Sequence, residues 1–319
     1  MPVFQRGALG GEVERIQERL KTLRHYNGPV DGIFGAGTAM AVKAFQRSAA
    51  IAADGAVGSV TWKALFSEEE TPVPAIVQQS LAERCLALTG SFETSMPPPE
   101  CFSGLTGDFD DQGISFGALQ WCLGQGSLQP LLERVNAQHG PLVEEIFDDH
   151  CDEFRVMLDS SRSDQMQWAR SIQDTRHRIV EPWRGMFKTL GRREEYRQIQ
   201  VEAASHLFED ALRLCHEFGL RSERAVALMF DIRVQNGSIQ PLTAAQIRQD
   251  FRTLEQAGTG QDEEPKLRAV AERRAAAANP RWIEDVRRRK LTIATGGGTV
   301  HGRPYDLASQ YGITMAPAL

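Results

Sequence analysis

The chain has 319 residues, of which 41% are hydrophobic and 24% are charged, as is ordinary for a globular protein. Its formal net charge of −6 gives no reason to expect nucleic acid or an anionic membrane surface as a partner. The sequence contains no run of eighteen apolar residues, so we expect no membrane insertion. This length allows one small domain and one of roughly 200 to 250 residues.

The first seventy residues contain an internal repeat. The sequence D-G-x-x-G occurs at 31–35 and again at 54–58. Glycine permits tight turns with positive φ, and the Asp caps the turn or the helix that follows it. Apolar residues at helical spacing surround these two loops. Three short helices are predicted, at about 13–23, 38–47 and 59–66.

Residues 8–66 resemble the three-helix peptidoglycan-binding domain. The resemblance lies in Y-N-G-P-V-D-G-I-F-G at 26–35 and in D-G-A-V-G-S-V-T-W-K-A-L at 54–65. It implies that this segment binds the glycan strands of peptidoglycan. Within it, we expect Asp31, Asp54 and Trp62 to be scaffold residues. Polar groups around the first loop are better placed to meet a stem peptide.

An acidic, Pro-containing segment follows and has the composition of a linker. We predict a peptidoglycan-binding domain at 1–67, a linker at 68–74 and a second domain at 75–319. The second domain consists mainly of amphipathic helices, with a short β element at 116–121. The fold class predicted for the chain is therefore mainly α.

The stretch 92–121 contains two acidic features with different surroundings. A helix-compatible run leads to Glu93, beside Leu88 and Phe92 and near the negative end of its helix, and both features favour a protonated carboxyl. The sequence D-F-D-D-Q-G at 108–113 is a polar turn in which ionisation is easy. Cleavage of a glycosidic bond by acid catalysis needs one carboxyl of each kind.

The pattern E-T…D-x-Q-G-x-S-x-G…Q-W in this stretch resembles the bacterial chitosanases and related glycan hydrolases of the lysozyme superfamily. The resemblance implies that Glu93 is the general acid and that Asp110, 17 positions later, directs the attacking water. It also implies that Ser115 helps to hold this water. Asp111 stands where the family usually has Gly, so both Asp110 and Asp111 remain candidates for the base. The candidates for substrate binding are Gln112, Gln120, Gln235 and Asn236.

A charged residue interrupts an apolar helix in the second domain. Asp231 lies inside the run A-V-A-L-M-F-D-I-R-V-Q. An isolated buried carboxylate is costly, so it needs a partner. The resemblance to chitosanases implies a buried Asp paired with an Arg that supports the general acid, and we predict Arg287 as that partner. The turn at 235–237 follows, where an amide side chain can hydrogen-bond a sugar.

Together, these features predict a peptidoglycan hydrolase of the muramidase type, which cleaves β-1,4 bonds with inversion. One alternative is a hydrolase that acts on chitosan or chitin. A second is a lytic transglycosylase, which needs the Glu alone, and a third is a non-catalytic wall-binding protein. The acidic turn argues against the third, because a binding protein has no need of a carboxyl pair.

No cofactor or metal is predicted, because the five cysteines lack C-x-x-C spacing and the histidines lack metal-ligand spacing. We expect free thiols, with a bridge between Cys101 and Cys122 as the alternative. The N-terminal sequence lacks the pattern of a secretory signal, so we expect synthesis in the cytoplasm. The chain would then reach the wall by holin-type release, as an endolysin, or through a secretion machine, as an antibacterial effector with an immunity protein. A monomer is expected.

Overall fold

The computed structural model describes residues 4–6, 8, 11–67, 72–259 and 262–318. Over these residues the protein is mainly α-helical, which confirms the predicted fold class. The chain divides into two compact units, 1–88 with 207–319, and 89–206. The division predicted at 68–74 remains a prediction, and residues 68–71 of that linker lie outside the described part of the chain.

Sixteen α-helices and five short strands occur in the described residues. The helices are α1 Gly11–Thr22, α2 Ala36–Ser48, α3 Ser59–Phe66, α4 Leu81–Thr94, α5 Gln129–Gln138, α6 Gly140–Phe147, α7 Cys151–Asp159, α8 Arg162–Ser171, α9 Trp183–Arg192, α10 Glu194–Ala203, α11 Ser205–Phe218, α12 Glu223–Asn236, α13 Pro241–Gln256, α14 Glu263–Ala276, α15 Ile283–Thr295 and α16 Leu307–Tyr311. The strands are β1 Leu105–Thr106, β2 Ser115–Phe116, β3 Trp121–Cys122, β4 Gly297–Val300 and β5 Arg303–Asp306. Among the helices described, none has the length and apolar character needed to span a membrane.

Helices α1 to α3 surround a hydrophobic cluster of their own. Val13, Ile16 and Leu20 contribute to it from α1 at helical spacing, and all three are fully buried. The ring of Trp62 is also fully buried, with its centroid 5.6 Å from that of Phe4. Trp62 therefore has the scaffold role expected for it.

The two D-G-x-x-G loops are held by the same arrangement of hydrogen bonds. In the first loop, the buried Gln17 donates from Nε2 to Oδ1 of Asp31 at 2.8 Å and accepts the N–H of the loop glycine at 3.0 Å. In the second, the buried Gln46 donates to Oδ1 of Asp54 and accepts the glycine N–H, both at 2.8 Å. The hydrogen bond from Gln17 also lowers the pKa of Asp31. Both Asp side chains therefore hold the loops together.

A small antiparallel sheet lies at the centre of the unit 89–206. Its strand order is β1-β2-β3, and Phe116 of β2 pairs with Leu105 on one side and Trp121 on the other. Phe116 is fully buried and stacks on Tyr196 of α10 at a centroid distance of 5.2 Å. One face of the sheet is therefore anchored on the helices of this unit.

Helix α12 is the most deeply buried helix of the C-terminal part of the chain. All eight residues from 225 to 232 are buried, which fits their nearly continuous apolar sequence. Helices α14 and α15 pack against it, and Gly296 ends α15 with a left-handed φ of 83°. The antiparallel pair β4 and β5 follows α15.

Candidate active site

Glu93 lies in the last turn of α4, and its side chain is exposed. The helix ends here because Ser95 takes a left-handed φ of 56° and three prolines follow it. Phe92 is buried, whereas Glu93 is not, since consecutive helical residues point about 100° apart. The apolar neighbours Leu88 and Phe92 are therefore buried on another side of α4, whereas Glu93 itself is exposed.

Two glycines bring the end of α4 against the small sheet. A Cβ on Gly104, just before β1, would lie 2.3 Å from Cγ2 of Thr94. A Cβ on Gly90 would lie 2.8 Å from the Cβ of Ala118. Only glycine allows such close approach of two elements. Glu93 is thus held at the edge of the same sheet whose β1–β2 connection contains the acidic turn.

Asp108 is the buried residue of the acidic turn, with 3% of its surface exposed. Its Oδ1 accepts the N–H of Gly113 at 2.8 Å, and its Oδ2 accepts from Nε of Arg170 at 3.2 Å. Its own N–H donates to Oε1 of Gln173 at 2.8 Å. Asp108 therefore closes the turn and ties it to the end of α8.

Asp110 and Asp111 are both exposed at the tip of this turn. Oδ1 of Asp110 accepts the N–H of Gln112 at 3.3 Å, which is the geometry of an Asx turn. Asp111 has a φ of 59°, in the left-handed region where Gly is favoured and Asp is one of the better tolerated alternatives. The presence of Asp at this position therefore leaves the expected turn conformation in place.

Ser115 lies in β2, directly after the turn, and is partly exposed. Because successive residues of a strand point to opposite faces, Ser115 points away from the core that Phe116 enters. Thr106 is its partner across the strand pair and is exposed on the same face. Within the described residues, the Ser115 hydroxyl makes no side-chain hydrogen bond, so it is available to a water molecule or a sugar.

The structure gives Gln120 a different role from the predicted substrate contact. Its Nε2 donates to the carbonyl oxygens of Gly104 and Gly117, at 3.1 and 2.9 Å. Its Oε1 accepts from the hydroxyl of Thr106 at 2.6 Å. The amide group is thus engaged on both sides, and Gln120 holds the sheet together. Gln112 is partly exposed, and its carbonyl oxygen accepts the N–H of Gly124 at 2.6 Å.

Gln200 of α10 also supports the site, and the sequence analysis missed it. It is fully buried; its Oε1 accepts the N–H of Ala118 at 2.8 Å and its Nε2 donates to the carbonyl oxygen of Phe102 at 3.0 Å. In the sequence, Gln200 could have been recognised as a polar residue that directly follows Ile199 on the apolar side of an amphipathic helix. Such a residue needs partners inside the core.

Asp231, in the other unit, is fully buried in an ion cluster. Arg289 donates to its Oδ1 from Nη2 at 2.7 Å and from Nε at 3.0 Å, and Lys290 donates to its backbone oxygen at 3.1 Å and to Oδ2. Burial alone would raise the pKa of Asp231, but the charges of Arg289 and Lys290 outweigh burial and lower it to about 2.

The prediction that Arg287 is the partner of Asp231 is wrong. Arg287 lies at the surface of α15, where its Nε donates to Glu272 at 3.0 Å and its Nη1 donates to Glu284. The buried stripe of α15 follows helical spacing through positions 286, 289, 290 and 293. Position 287 lies off this stripe, so its side chain points away from Asp231.

Gln235 and Asn236 end α12, in the unit that contains Asp231. They line a cavity of about 500 Å³ together with Arg274 and Trp282. Glu93, Asp110, Asp111, Ser115, Gln112 and Gln120 all belong to the unit 89–206. The candidate catalytic residues thus lie around one sheet in the unit 89–206, whereas Gln235 and Asn236 belong to the other unit.

Residues 10–65 match the family described as "Putative peptidoglycan binding domain". This segment belongs to that family. It is similar to the spore cortex-lytic enzyme of Oceanobacillus iheyensis, with 44% identity over 59 residues, which are 18% of this chain and 21% of the relative. The enzyme of the same name from Bacillus subtilis is 41% identical over 69 residues, which are 21% of this chain and 23% of the relative. The chain thus matches about a fifth of the length of these relatives.

Solved structures resemble a larger part of the chain. A chitosanase of Gynuella sunshinyii in complex with chitotetraose is 15% identical, with 73% of this chain and 98% of that chain covered and a TM-score of 0.43. The endolysin of Burkholderia AP3 phage is 16% identical, with 73% and 96% covered and a TM-score of 0.20. These values describe a distant likeness.

Proposed function

We propose that the protein is a peptidoglycan hydrolase that cleaves the β-1,4 bond between N-acetylmuramic acid and N-acetylglucosamine. The observation that carries this proposal is the pair of exposed carboxyl groups held by one small sheet. Glu93 lies at a helix end that two glycines press against the sheet. Asp110 lies on a turn that the buried Asp108 closes. The peptidoglycan-binding family of residues 10–65 supports the choice of polymer.

In the proposed mechanism, Glu93 protonates the oxygen of the leaving sugar while Asp110 deprotonates the attacking water. Ser115 helps to orient this water, since its hydroxyl points to the open face of the sheet. Placing the two carboxyl groups on separate elements leaves room for a water between them, which favours single displacement with inversion. Such enzymes separate their carboxyl groups by about 6.5–9.5 Å.

Asp110 is preferred over Asp111 as the base. The N–H of Gln112 holds one oxygen of Asp110 and leaves the other for a water. Asp111 takes a backbone conformation in which glycine would serve as well, so its side chain is not required for the turn. The role of Gln112 in substrate binding is part of this proposal, because its side chain is partly exposed beside Asp110.

Product analysis tests the proposed function. Purified peptidoglycan and chitosan are digested in parallel, and the products are identified by mass spectrometry. Muropeptides with a reducing N-acetylmuramic acid end are expected from peptidoglycan, with an α-configured end in fresh product as seen by NMR. Glucosamine oligomers from chitosan alone would identify a chitosanase, 1,6-anhydro sugars a lytic transglycosylase, and no product from either polymer a binding protein.

Delivery is part of the same proposal. A monomer reaches the wall after holin-type release, or through a secretion machine, in which case an immunity protein protects the producing cell. Expression in the cytoplasm of a bacterial host, with and without a co-expressed holin, tests the first route. Lysis that depends on the holin is the expected result for an endolysin, and lysis without it would contradict holin-dependent release.

A further inference from the structure

A cavity of about 500 Å³ lies among three helices of the unit that contains residues 207–319. The last residues of α12, Gln235 and Asn236, form one wall, and Arg274 of α14 forms another. Trp282, directly before α15, and Asp285, in the first turn of α15, also line it. This volume suits one substituted sugar ring, since pockets for small molecules measure about 300–1,000 Å³.

Arg274 is the unusual residue of this cavity. It is only 8% exposed, its Nε is buried without a hydrogen-bond partner, and no ion pair to a described residue involves it. Burial lowers its pKa, and no carboxylate among the described residues offsets this effect. Its neighbour Arg273 instead binds Asp250 through two hydrogen bonds, at 2.6 and 2.8 Å. A buried cation without an ion-pair partner is unfavourable, so an anionic group bound at Arg274 would stabilise it.

The other polar groups of the cavity require donors. Oε1 of Gln235 and Oδ1 of Asn236 are both buried without a hydrogen-bond partner in the described part of the chain. The acidic residue Asp285 is already engaged, because its Oδ1 lies 2.8 Å from Nε2 of His301. A ligand that satisfies this cavity therefore has one anionic group and several O–H or N–H donors.

Trp282 adds a flat surface to the cavity. Its side chain is 52% exposed, and the guanidinium of Arg281 lies 4.8 Å from the centre of its ring. An exposed indole that lines a polar cavity offers a broad apolar face beside hydrogen-bonding groups. A sugar ring has the same combination, with C–H groups on its faces and hydroxyl groups at its edge.

We propose that this cavity binds a carboxylate-bearing amino sugar of peptidoglycan, with the carboxylate on Arg274 and the sugar's donors on Gln235 and Asn236. The choice of polymer rests on the proposed function. Two sources of the carboxylate exist in that polymer: the lactyl group of N-acetylmuramic acid without a peptide, and the stem peptide where one is attached. The glucosamine of chitosan has an ammonium group instead, which Arg274 repels.

Calorimetric titration of the full-length protein with three probes tests this proposal. The probes are N-acetylmuramic acid, N-acetylmuramyl-L-alanyl-D-isoglutamine and N-acetylglucosamine, which lacks a carboxylate. The probes contain no bond between the two amino sugars, so the result does not depend on hydrolysis or on Glu93. We expect at least one carboxylate probe to bind about tenfold more tightly than N-acetylglucosamine. Which of the two it is identifies the source of the carboxylate.

Substitutions test whether the preference for a carboxylate probe over N-acetylglucosamine arises in this cavity. Arg274→Gln should abolish it, Arg274→Lys should retain part of it, and Arg273→Gln, on the same helix, should leave it unchanged. Equal affinity for all three probes, or a full preference in Arg274→Gln, would overturn the proposal. If Arg274→Gln does not fold by circular dichroism, Asn236→Ala decides, because it must weaken all the probes that bind. Loss of peptidoglycan hydrolysis with this preference intact would refute the proposed function alone.

Discussion

The acidic turn at 108–113 and the ion cluster around Asp231 use carboxylates in opposite ways. Asp231 is fully buried and its oxygens are occupied by Arg289 and Lys290, so it can only hold structure. In the turn, the buried Asp108 forms the hydrogen bonds that stabilise the turn, and Asp110 remains exposed. The exposed carboxylate at the tip of the turn is thus positioned by another carboxylate that is buried.

The largest expected effect is on stability at Asp231. Asp231→Asn leaves Arg289 and Lys290 buried beside a neutral amide, and breaking a buried ion pair costs about 3 to 5 kcal/mol. Arg287→Gln is the matched control, since it removes only the surface ion pairs with Glu272 and Glu284, each worth about 0 to 1 kcal/mol. Urea unfolding measures both free energies. An equal loss in the two variants would contradict the assignment of Arg289 and Lys290 as the partners.

Glu93→Gln should lower the rate of peptidoglycan hydrolysis by about 10²-fold or more, because it removes the group that protonates the leaving oxygen. Its free energy of unfolding should change little, since Glu93 is exposed. The release of reducing ends from purified peptidoglycan measures the rate. Retention of more than about a tenth of the activity would exclude Glu93 as the general acid.

Asp110→Asn should lower activity by about 10²-fold, whereas Asp111→Asn should cost only a few-fold. The pair is well matched, because both residues are exposed neighbours on one turn and asparagine also tolerates the left-handed backbone at 111. The same reducing-end assay compares them. If Asp111→Asn has the greater effect, the base is Asp111, and full activity in both variants favours a lytic transglycosylase.

Asp108→Asn should reduce both stability and activity, because it weakens the bonds to Gly113 and Arg170 that close the turn. Loss of a charge-assisted hydrogen bond of this kind costs about 1.5 to 3 kcal/mol. Thermal unfolding and the activity assay, applied together, separate this effect from that of Asp110→Asn. A variant with lost activity and unchanged stability would mean that Asp108 takes part in the chemistry.

Lowering the pH should remove only part of the free energy that Asp231 contributes to folding. This is therefore the smallest of the expected effects. The pKa of Asp231 is about 2 in the folded protein and its ordinary value is 3.8. The stabilisation is therefore complete above about pH 4 and is lost as the pH falls through 2. Unfolding free energies measured from pH 5 to pH 2 should fall more steeply for the wild type than for Asp231→Asn. Parallel curves would contradict a low pKa at this site.

Much of this protein could be predicted from local sequence. Helical periodicity and turn glycines are properties of neighbouring residues, and they predicted the mainly α fold, the three-helix module with its repeated loops and the acidic turn after Glu93. The peptidoglycan-binding family of residues 10–65 confirmed the resemblance stated for that segment. The need of Asp231 for a basic partner also followed from its apolar surroundings alone.

The tertiary structure decided which residues meet across long stretches of chain. Arg289 and Lys290, rather than Arg287, reach Asp231 from 58 and 59 positions away, because the rotation of α15 about its axis selects its buried stripe. The side-chain amide of Gln120 forms its hydrogen bonds within the sheet, and Arg274 lines a cavity without an ion-pair partner among the described residues. These outcomes depend on how helices and strands pack together, which no single segment of the sequence encodes.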